Sequence, residues 1–298
     1  MAPVTGEAPI VRFAPAKINV FLRVLSARDD GYHDLESLVV PISLGDRVTA
    51  AADTRLSVDV AGDERATNGV PVGGLNLALV AALALADACA DTGGARVTIE
   101  KAIPVAAGLG GGSSDAAATL LALNELWGCA LDPAELAQVA ERVGSDVPAM
   151  LTAQPVLMSS RGETLAPATV ARMWWTLVHL GFGVRSPDAY RWWDEGDRVP
   201  GPDPAPLLDA AAEGDVELLG PLLFNDLEAP VTARHPEIGV AKTALIEAGA
   251  LGAVMTGSGS TVIGLARDRA HAESLATRFD AAAAVVGPTT DPAEVREG

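Results

Sequence analysis

Cysteine, positive charge and long apolar runs are all scarce in this chain, and each shortage closes off a class of function. Cys89 and Cys129 are the only cysteines in 298 residues. Two are too few for a disulfide framework, and neither sits in a metal-ligand cluster. Lysine and arginine total 21 against 39 aspartates and glutamates, a formal net charge of −18. Such an excess repels phosphate backbones and anionic lipid at long range, so neither nucleic acid nor a membrane surface is expected as a partner. An anionic ligand must then be caught by a local cradle. The longest apolar run, Leu75 to Ala90, is interrupted by Asn76 and Asp87 and is short for a bilayer span. Met1 to Glu7 lack a basic segment leading into an apolar core. A cytoplasmic location is the resulting expectation.

Two nucleotide-binding signatures are missing as well. The one glycine-rich stretch, Pro104 to Ser114, has no lysine in the Gly-x-x-x-x-Gly-Lys-Ser/Thr position and does not space its glycines as Gly-x-Gly-x-x-Gly, which disfavours a P-loop NTPase and a Rossmann dinucleotide site. What the stretch does have is context. It follows an alternating, strand-like segment, Ala95 to Glu100, and opens into the helix-favouring Ala116 to Leu126. Glycines there let backbone N–H groups approach an anion, with Ser113 and Ser114 beside the unpaired amides of the helix start. Phosphate is the natural guest; a flexible linker is the bland alternative.

The length suits two domains, divided here at 1–155 and 156–298. Ile10 to Leu25 alternates as a strand that places Lys17 and Asn19 on one face. Spacing alone leaves Lys17 as an edge-protecting lysine or as one that meets a negative partner. Asp29 to Asp34 is a turn whose His33 reads as a surface histidine and whose Tyr32 is suited to stacking. Further strands are expected at Leu35 to Ala50 and Leu56 to Val60, and helices at Leu77 to Ala90 and from Pro133 to Val143, stopped by Gly144. Asp146 then either caps a short helix or presents a carboxylate able to accept a proton. Beyond Gln154 come a strand over Met173 to Leu180, packed Trp192 and Trp193, a proline-rich surface loop at Val199 to Pro206, and a frayed tail from Asp291. A helix, strand, strand, helix, strand succession at Glu237 to Ala248, Ala250 to Met255, Thr261 to Ala266, Asp268 to Phe279 and near Val285 suits an open-faced antiparallel sandwich. A second glycine turn, Thr256 to Ser260, joins its first two strands.

Pro15-Ala16-Lys17-Ile18-Asn19, the Gly108 to Ser114 loop and the Thr256 to Ser260 turn together resemble the GHMP kinases, from about residue 10 to 285. Asp30-Gly31-Tyr32-His33, Ser145-Asp146-Val147-Pro148 and Asn225-Asp226-Leu227-Glu228 bring the chain nearer to the branch acting on 4-diphosphocytidyl-2-C-methyl-D-erythritol. The resemblance implies an α/β fold of two domains, ribosomal protein S5 domain 2-like and then ferredoxin-like, with the active site between them. It implies ATP-dependent phosphorylation of the 2-hydroxyl of that substrate, with Lys17 and Asp146 as the catalytic pair. ATP phosphates would lie on Pro104, Val105, Ala106, Ala107, Gly108, Leu109, Gly110, Gly111, Gly112, Ser113 and Ser114. Asn19, Tyr32, His33, Ser186 and Tyr190 would form the substrate pocket, with cytosine between the two tyrosines. Mg2+ is implied with ATP, its protein ligand unassigned between Ser114, Asp115 and other residues. Monomer and homodimer stay equally open. Ser186 stands where threonine is frequent, Ser160 where glycine is common, and Arg185 is unexpected. The competing readings are another GHMP kinase, of homoserine or mevalonate-pathway type, and a non-catalytic nucleotide-binding protein of the same fold.

Overall fold

Two long strands, β1 (Ile10–Ala27) and β2 (His33–Asp53), form the antiparallel hairpin on which the rest is built. The computed structural model describes residues 8–287 except 72, 91, 197, 198, 200 and 280–282; the tail expected from Asp291 lies outside them. β3 (Ser57–Gly62) and β4 (Gly94–Lys101) extend the sheet beyond β2, running parallel to each other. β5 (Val156–Ser160) pairs with the first half of β2, and β6 (Thr164–Pro167) pairs with β5. The sheet therefore runs past the 155/156 division to Pro167. It also recruits a short strand from the second half of the chain, β8 (Phe224–Asn225), parallel to β1. The second sheet is antiparallel throughout, in the order β11 (Ala283–Val286), β7 (Trp174–Val178), β10 (Val262–Ala266), β9 (Gly252–Met255).

β1 departs from simple alternation for a local reason. Its register against β2 shifts between Pro15 and Lys17, between Asn19 and Phe21, and between Val24 and Ser26. Such bulges re-aim side chains and are frequent beside active sites. Every residue from Ala14 to Leu22 is buried, so β1 has no solvent face in its middle. One core lies between the first sheet and the helices Leu77–Ala88, Gly111–Leu126 and Pro133–Val143, around Leu85, Ile99, Leu120 and Leu123. A second joins the two sheets: Ile18, Val20 and Phe21 of β1 pack with Trp175, Leu177, Ile263 and Leu265. Each such fully buried side chain contributes about 1.5–3 kcal/mol. The two halves of the molecule are thus tied by a common apolar core.

Helix ends follow the sequence signals where a polar cap is present. Asp132 caps Pro133–Val143 through the amides of Ala134 and Glu135, and Glu135 answers in a capping box. The glycine stretch behaves otherwise than expected: the helix opens at Gly111, five residues before Ala116, because Gly110 takes φ +70° and turns the chain without a side-chain cap. Helix also replaces the end of the expected proline-rich loop, since Ala205 and Pro206 begin Ala205–Glu213. Among the described residues no helix is long and apolar enough to cross a membrane.

Two features brace the helix that follows the glycines. A disulfide joins Cys89 and Cys129, just beyond the ends of Leu77–Ala88 and Gly111–Leu126, with 5.4 Å between Cα atoms. The other is a buried charge group. Lys101 Nζ donates to Asp46 and, at 2.7 Å, to Asp115 in the first turns of that helix. Asp46 also accepts the amides of Ala102 and Ile103 at 2.6 and 2.8 Å. Asp46 accepts three hydrogen bonds, whereas the Asp115 side chain has Lys101 alone and its Oδ1 is buried with no partner among the described residues. The proton therefore resides on Asp115, whose carboxyl burial pushes up to about 8 against the pull of Lys101.

Two outcomes follow for stability. Because the folded pKa of Asp115 exceeds its ordinary 3.8, the folded state binds more protons between about pH 4 and 8, and this residue lowers stability as pH rises through that window. Asp115→Asn should flatten the fall in unfolding free energy from pH 5 to 8, measured by urea denaturation; an unchanged slope contradicts the assignment. Closing a loop with a sequence separation of 40 residues contributes roughly 4 kcal/mol. Cys89→Ser/Cys129→Ser should therefore lower the denaturation midpoint clearly, and equal midpoints would refute the bridge.

Candidate active site

A cavity of about 780 Å³ opens between the glycine stretch, β1, the Asp29–Asp34 turn and the helix Ser186–Asp194. Its walls include Lys17, Asn19, Tyr32, His33, Asp146, Ser186 and Tyr190, and also Pro104, Val105, Ala106, Ala107, Gly108, Gly110, Gly111, Gly112 and Ser113. Lys17 and Tyr190, 173 positions apart in the chain, are thus brought to one place. Two of the expected set fall short of it. Leu109 is packed into the core between the sheets, and the Ser114 hydroxyl donates to Pro15 O at 2.8 Å.

Lys17 is the best-defined member. It is not an edge lysine: only 6% of its surface is exposed. Its Nζ donates to Asn19 Oδ1 at 2.6 Å and to Gly108 O at 3.0 Å. An ammonium has three N–H bonds, so one is left for the cavity. Burial pushes its pKa below 10.5, and the Asp146 carboxylate opposes that shift. Asn19 is held in turn, Nδ2 donating to Ser37 Oγ at 2.7 Å and its amide to Thr256 Oγ1 at 2.7 Å. The glycine stretch is wedged against the same group: a Cβ on Gly110 would lie 2.9 Å from Lys17 Cγ, and one on Gly108 2.2 Å from Thr256 O. Both positions also have φ near +75°, which favours glycine. Ahead of the Gly111–Leu126 helix, the Ser114 amide already bonds to Gly110 O at 2.9 Å. The amides of Gly111, Gly112 and Ser113 precede the helical ladder and are free to meet an anion.

Asp146 occupies the N-cap position of Val147–Thr152, yet its side chain makes no capping bond. The carboxylate instead lines the cavity with Lys17. Local sequence could not separate these two uses; the backbone of Asp146 is helical rather than extended, which turns the side chain away from the amides it would cap.

The other end of the cavity is aromatic. His33 is no surface histidine, with 9% of its side chain exposed. Its ring stacks on Tyr190 at 4.8 Å and meets Trp193 edge-on at 5.8 Å, while Nε2 lies 3.1 Å from both oxygens of Asp194. Tyr32 is half exposed beneath the Arg161 guanidinium, 5.1 Å away. Among the described residues no ring contact joins Tyr32 to Tyr190. Burial and Asp146 both push the Tyr190 hydroxyl up, so it stays a neutral phenol. Ser186 Oγ donates to Ser258 Oγ at 3.3 Å. Ser160 sits at φ +62°, the backbone region that makes glycine the easier residue there.

Sequence reasoning overlooked Asp194, Arg161 and Thr256, which act through residues 161, 129 and 237 positions away; nothing in the local pattern marks such partners. It also left the Asn225 to Glu228 motif without a role. Asn225 Nδ2 donates to Met255 O and Gly257 O, Asp226 accepts the Val24 amide, and Glu228 accepts the Met255 amide and pairs with Lys242. The motif fixes the second glycine turn against Lys17.

Lys17, Lys101, Arg161, Arg185 and Arg191 line the cavity against Asp115, Asp146 and Asp194. A chain of net charge −18 thus concentrates cations in one cleft, as an anionic ligand requires. Among the described residues no group of three or more His, Cys, Asp or Glu forms a metal cage.

Comparison with known proteins agrees with this geometry. The GHMP kinases N terminal domain matches residues 76–154, and the GHMP kinases C terminal domain matches 207–285. The 4-diphosphocytidyl-2-C-methyl-D-erythritol kinase of Symbiobacterium thermophilum is 42% identical over 85% of this chain and 89% of its own length. That of Leifsonia xyli is 38% identical over 94% and 95%. A crystal structure of 4-(cytidine 5'-diphospho)-2C-methyl-D-erythritol kinase superposes with a TM-score of 0.80 at 34% identity, covering 95% of this chain and all of that one. Homoserine kinase from Cytophaga hutchinsonii shares the fold at 18% identity and a TM-score of 0.72. By these matches the chain belongs to the GHMP kinases, within the family of 4-diphosphocytidyl-2-C-methyl-D-erythritol kinases.

Proposed function

We propose that this chain transfers the γ-phosphoryl group of ATP to the 2-hydroxyl of 4-diphosphocytidyl-2-C-methyl-D-erythritol, a step in the methylerythritol phosphate route to isoprenoid precursors. The observation that carries the reading is the presence, in one cavity, of a buried lysine and a carboxylate that makes no hydrogen bond or ion pair among the described residues. Asp146 accepts the proton of the attacking hydroxyl as the oxygen bonds to phosphorus and the bond to the ADP oxygen breaks. The remaining N–H of Lys17 stabilises the charge spread over the transferring group. The amides of Gly111, Gly112 and Ser113 hold the nucleotide phosphates, and Tyr32, His33 and Tyr190 receive the cytosine.

Mg2+ fits this site as an ion carried by the nucleotide. It binds few carboxylates and keeps phosphate and water oxygens, so no protein cage is needed. Asp146 is the cavity carboxylate available to it; Ser114 is engaged with Pro15 O, and the free oxygen of Asp115 is sealed. When bound, the ion neutralises charge on the phosphates.

The two nearest alternatives differ in acceptor. Homoserine and mevalonate carry no base, so the stacking residues separate them. Tyr32→Ala should raise KM for the cytidine substrate by about 5- to 100-fold, as loss of one stacking face does, with KM for ATP unchanged. No change in the substrate KM contradicts cytosine recognition. Asp146→Asn should lower kcat by about 10²- to 10⁴-fold with ATP binding retained in calorimetry; a kcat within threefold of wild type excludes Asp146 as base. The wild-type kcat/KM, which reports the free enzyme, should fall on an alkaline limb centred below 10.5, because Lys17 there loses its proton earlier than an ordinary lysine. A limb at or above that value contradicts a catalytic role for its charge.

A further inference from the structure

His33 presents an acceptor nitrogen whose identity is imposed from behind. Both oxygens of Asp194 lie 3.1 Å from Nε2. An ionised carboxylate only accepts, so Nε2 carries the hydrogen, and in a neutral imidazole Nδ1 is left with its lone pair. The ring has little freedom to exchange the two nitrogens, clamped between the Tyr190 face and the Trp193 edge. Among the described residues Nδ1 has no hydrogen-bond partner, yet it is not one of the sealed, unsatisfied atoms. It is therefore accessible, on a ring that lines the cavity.

We propose that Asp194, at the end of the Ser186–Asp194 helix, sets the base specificity of the site by locking His33 in the tautomer that accepts from the amino group of a cytosine and rejects the carbonyl of a uracil. The proposal rests on the cytidine reading above and deepens it. At position 4 cytosine presents N–H donors and uracil a bare oxygen acceptor. With the base held by stacking and its diphosphate by the cleft cations, positions 3 and 4 are what differ between the two substrates, and at position 4 cytosine supplies the donor and uracil the acceptor. A lone pair on Nδ1 pairs with the first and repels the second. Asp194 touches no reacting atom; it is a positioning residue acting through His33.

Asp194→Asn tests this directly. An amide can rotate to offer its N–H to Nε2, which moves the imidazole hydrogen to Nδ1, the wrong tautomer for cytosine and the right one for uracil. The wild type should prefer the cytidine over the uridine diphosphate substrate by about 10²-fold or more in kcat/KM, as sites built around one hydrogen bond do. In Asp194→Asn that ratio should fall at least tenfold, whereas Asp194→Ala should lose activity without favouring uridine. A second readout needs no variant. Nitrogen-15 NMR of histidine-labelled wild type at about pH 8.5, two units above the usual imidazole value, should show His33 protonated on Nε2 only. A ratio unchanged in a folded Asp194→Asn, or a wild-type His33 carrying hydrogen on Nδ1, overturns the proposal. Absence of wild-type turnover with the cytidine substrate would instead overturn the function it rests on, leaving the NMR result to decide the tautomer.

Discussion

One buried ammonium organises this molecule. Lys17 loses its hydration when the glycine stretch and the Thr256 to Ser260 turn close over β1, and the loss is tolerable only because Gly108 O and Asn19 Oδ1 replace water. Each replacement needs support of its own. Gly108 must reach Lys17 with its backbone, which requires a left-handed turn, and Asn19 must hold its amide in one orientation, which Ser37 and Thr256 enforce. The second glycine turn is fixed by Asn225 for the same reason. A change at any of these positions is felt at Nζ, although most of them touch no ligand.

The same logic explains how an acidic chain binds anions. Long-range attraction is absent, so capture depends on short-range groups: free amides at the start of Gly111–Leu126, one unspent N–H of Lys17, and arginines at the cavity mouth. Two braces hold that helix where the amides are useful. The Lys101 charge group pins its first turns and the disulfide its far end. The uncapped Asp146 is the converse case, a helix start without its side-chain capping bond whose carboxylate lines the cavity instead.

Legibility in the sequence followed range. The strands, the helix from Pro133 and the antiparallel second sheet could be read because alternation, Pro133 and Gly144 act within a few residues. The helix start at Gly111 could not, since a glycine run opening a helix by a positive φ looks like loop until the loop packs. Lys17 was ambiguous on spacing alone because burial of both faces of β1 depends on a sheet formed by residues beyond 170. Motif resemblance pointed to Lys17, Asp146, Tyr32, His33 and Tyr190, all of which line the cavity, whereas Asp194 and Arg161 carry no local mark and emerge only when the chain is folded. The pairing of Cys89 with Cys129 likewise becomes visible once two helix ends are 5.4 Å apart.

The central claim is that this cavity joins ATP to a cytidine-bearing alcohol. The most direct test is to incubate the wild-type protein with Mg-ATP and, separately, 4-diphosphocytidyl-2-C-methyl-D-erythritol, homoserine and mevalonate, following ADP release and the phosphorus NMR spectrum of each acceptor. The account predicts stoichiometric ADP and a new phosphomonoester on the 2-oxygen of the cytidine substrate alone. Turnover of homoserine or mevalonate in preference to it, or ADP release with none of the three, would contradict the account.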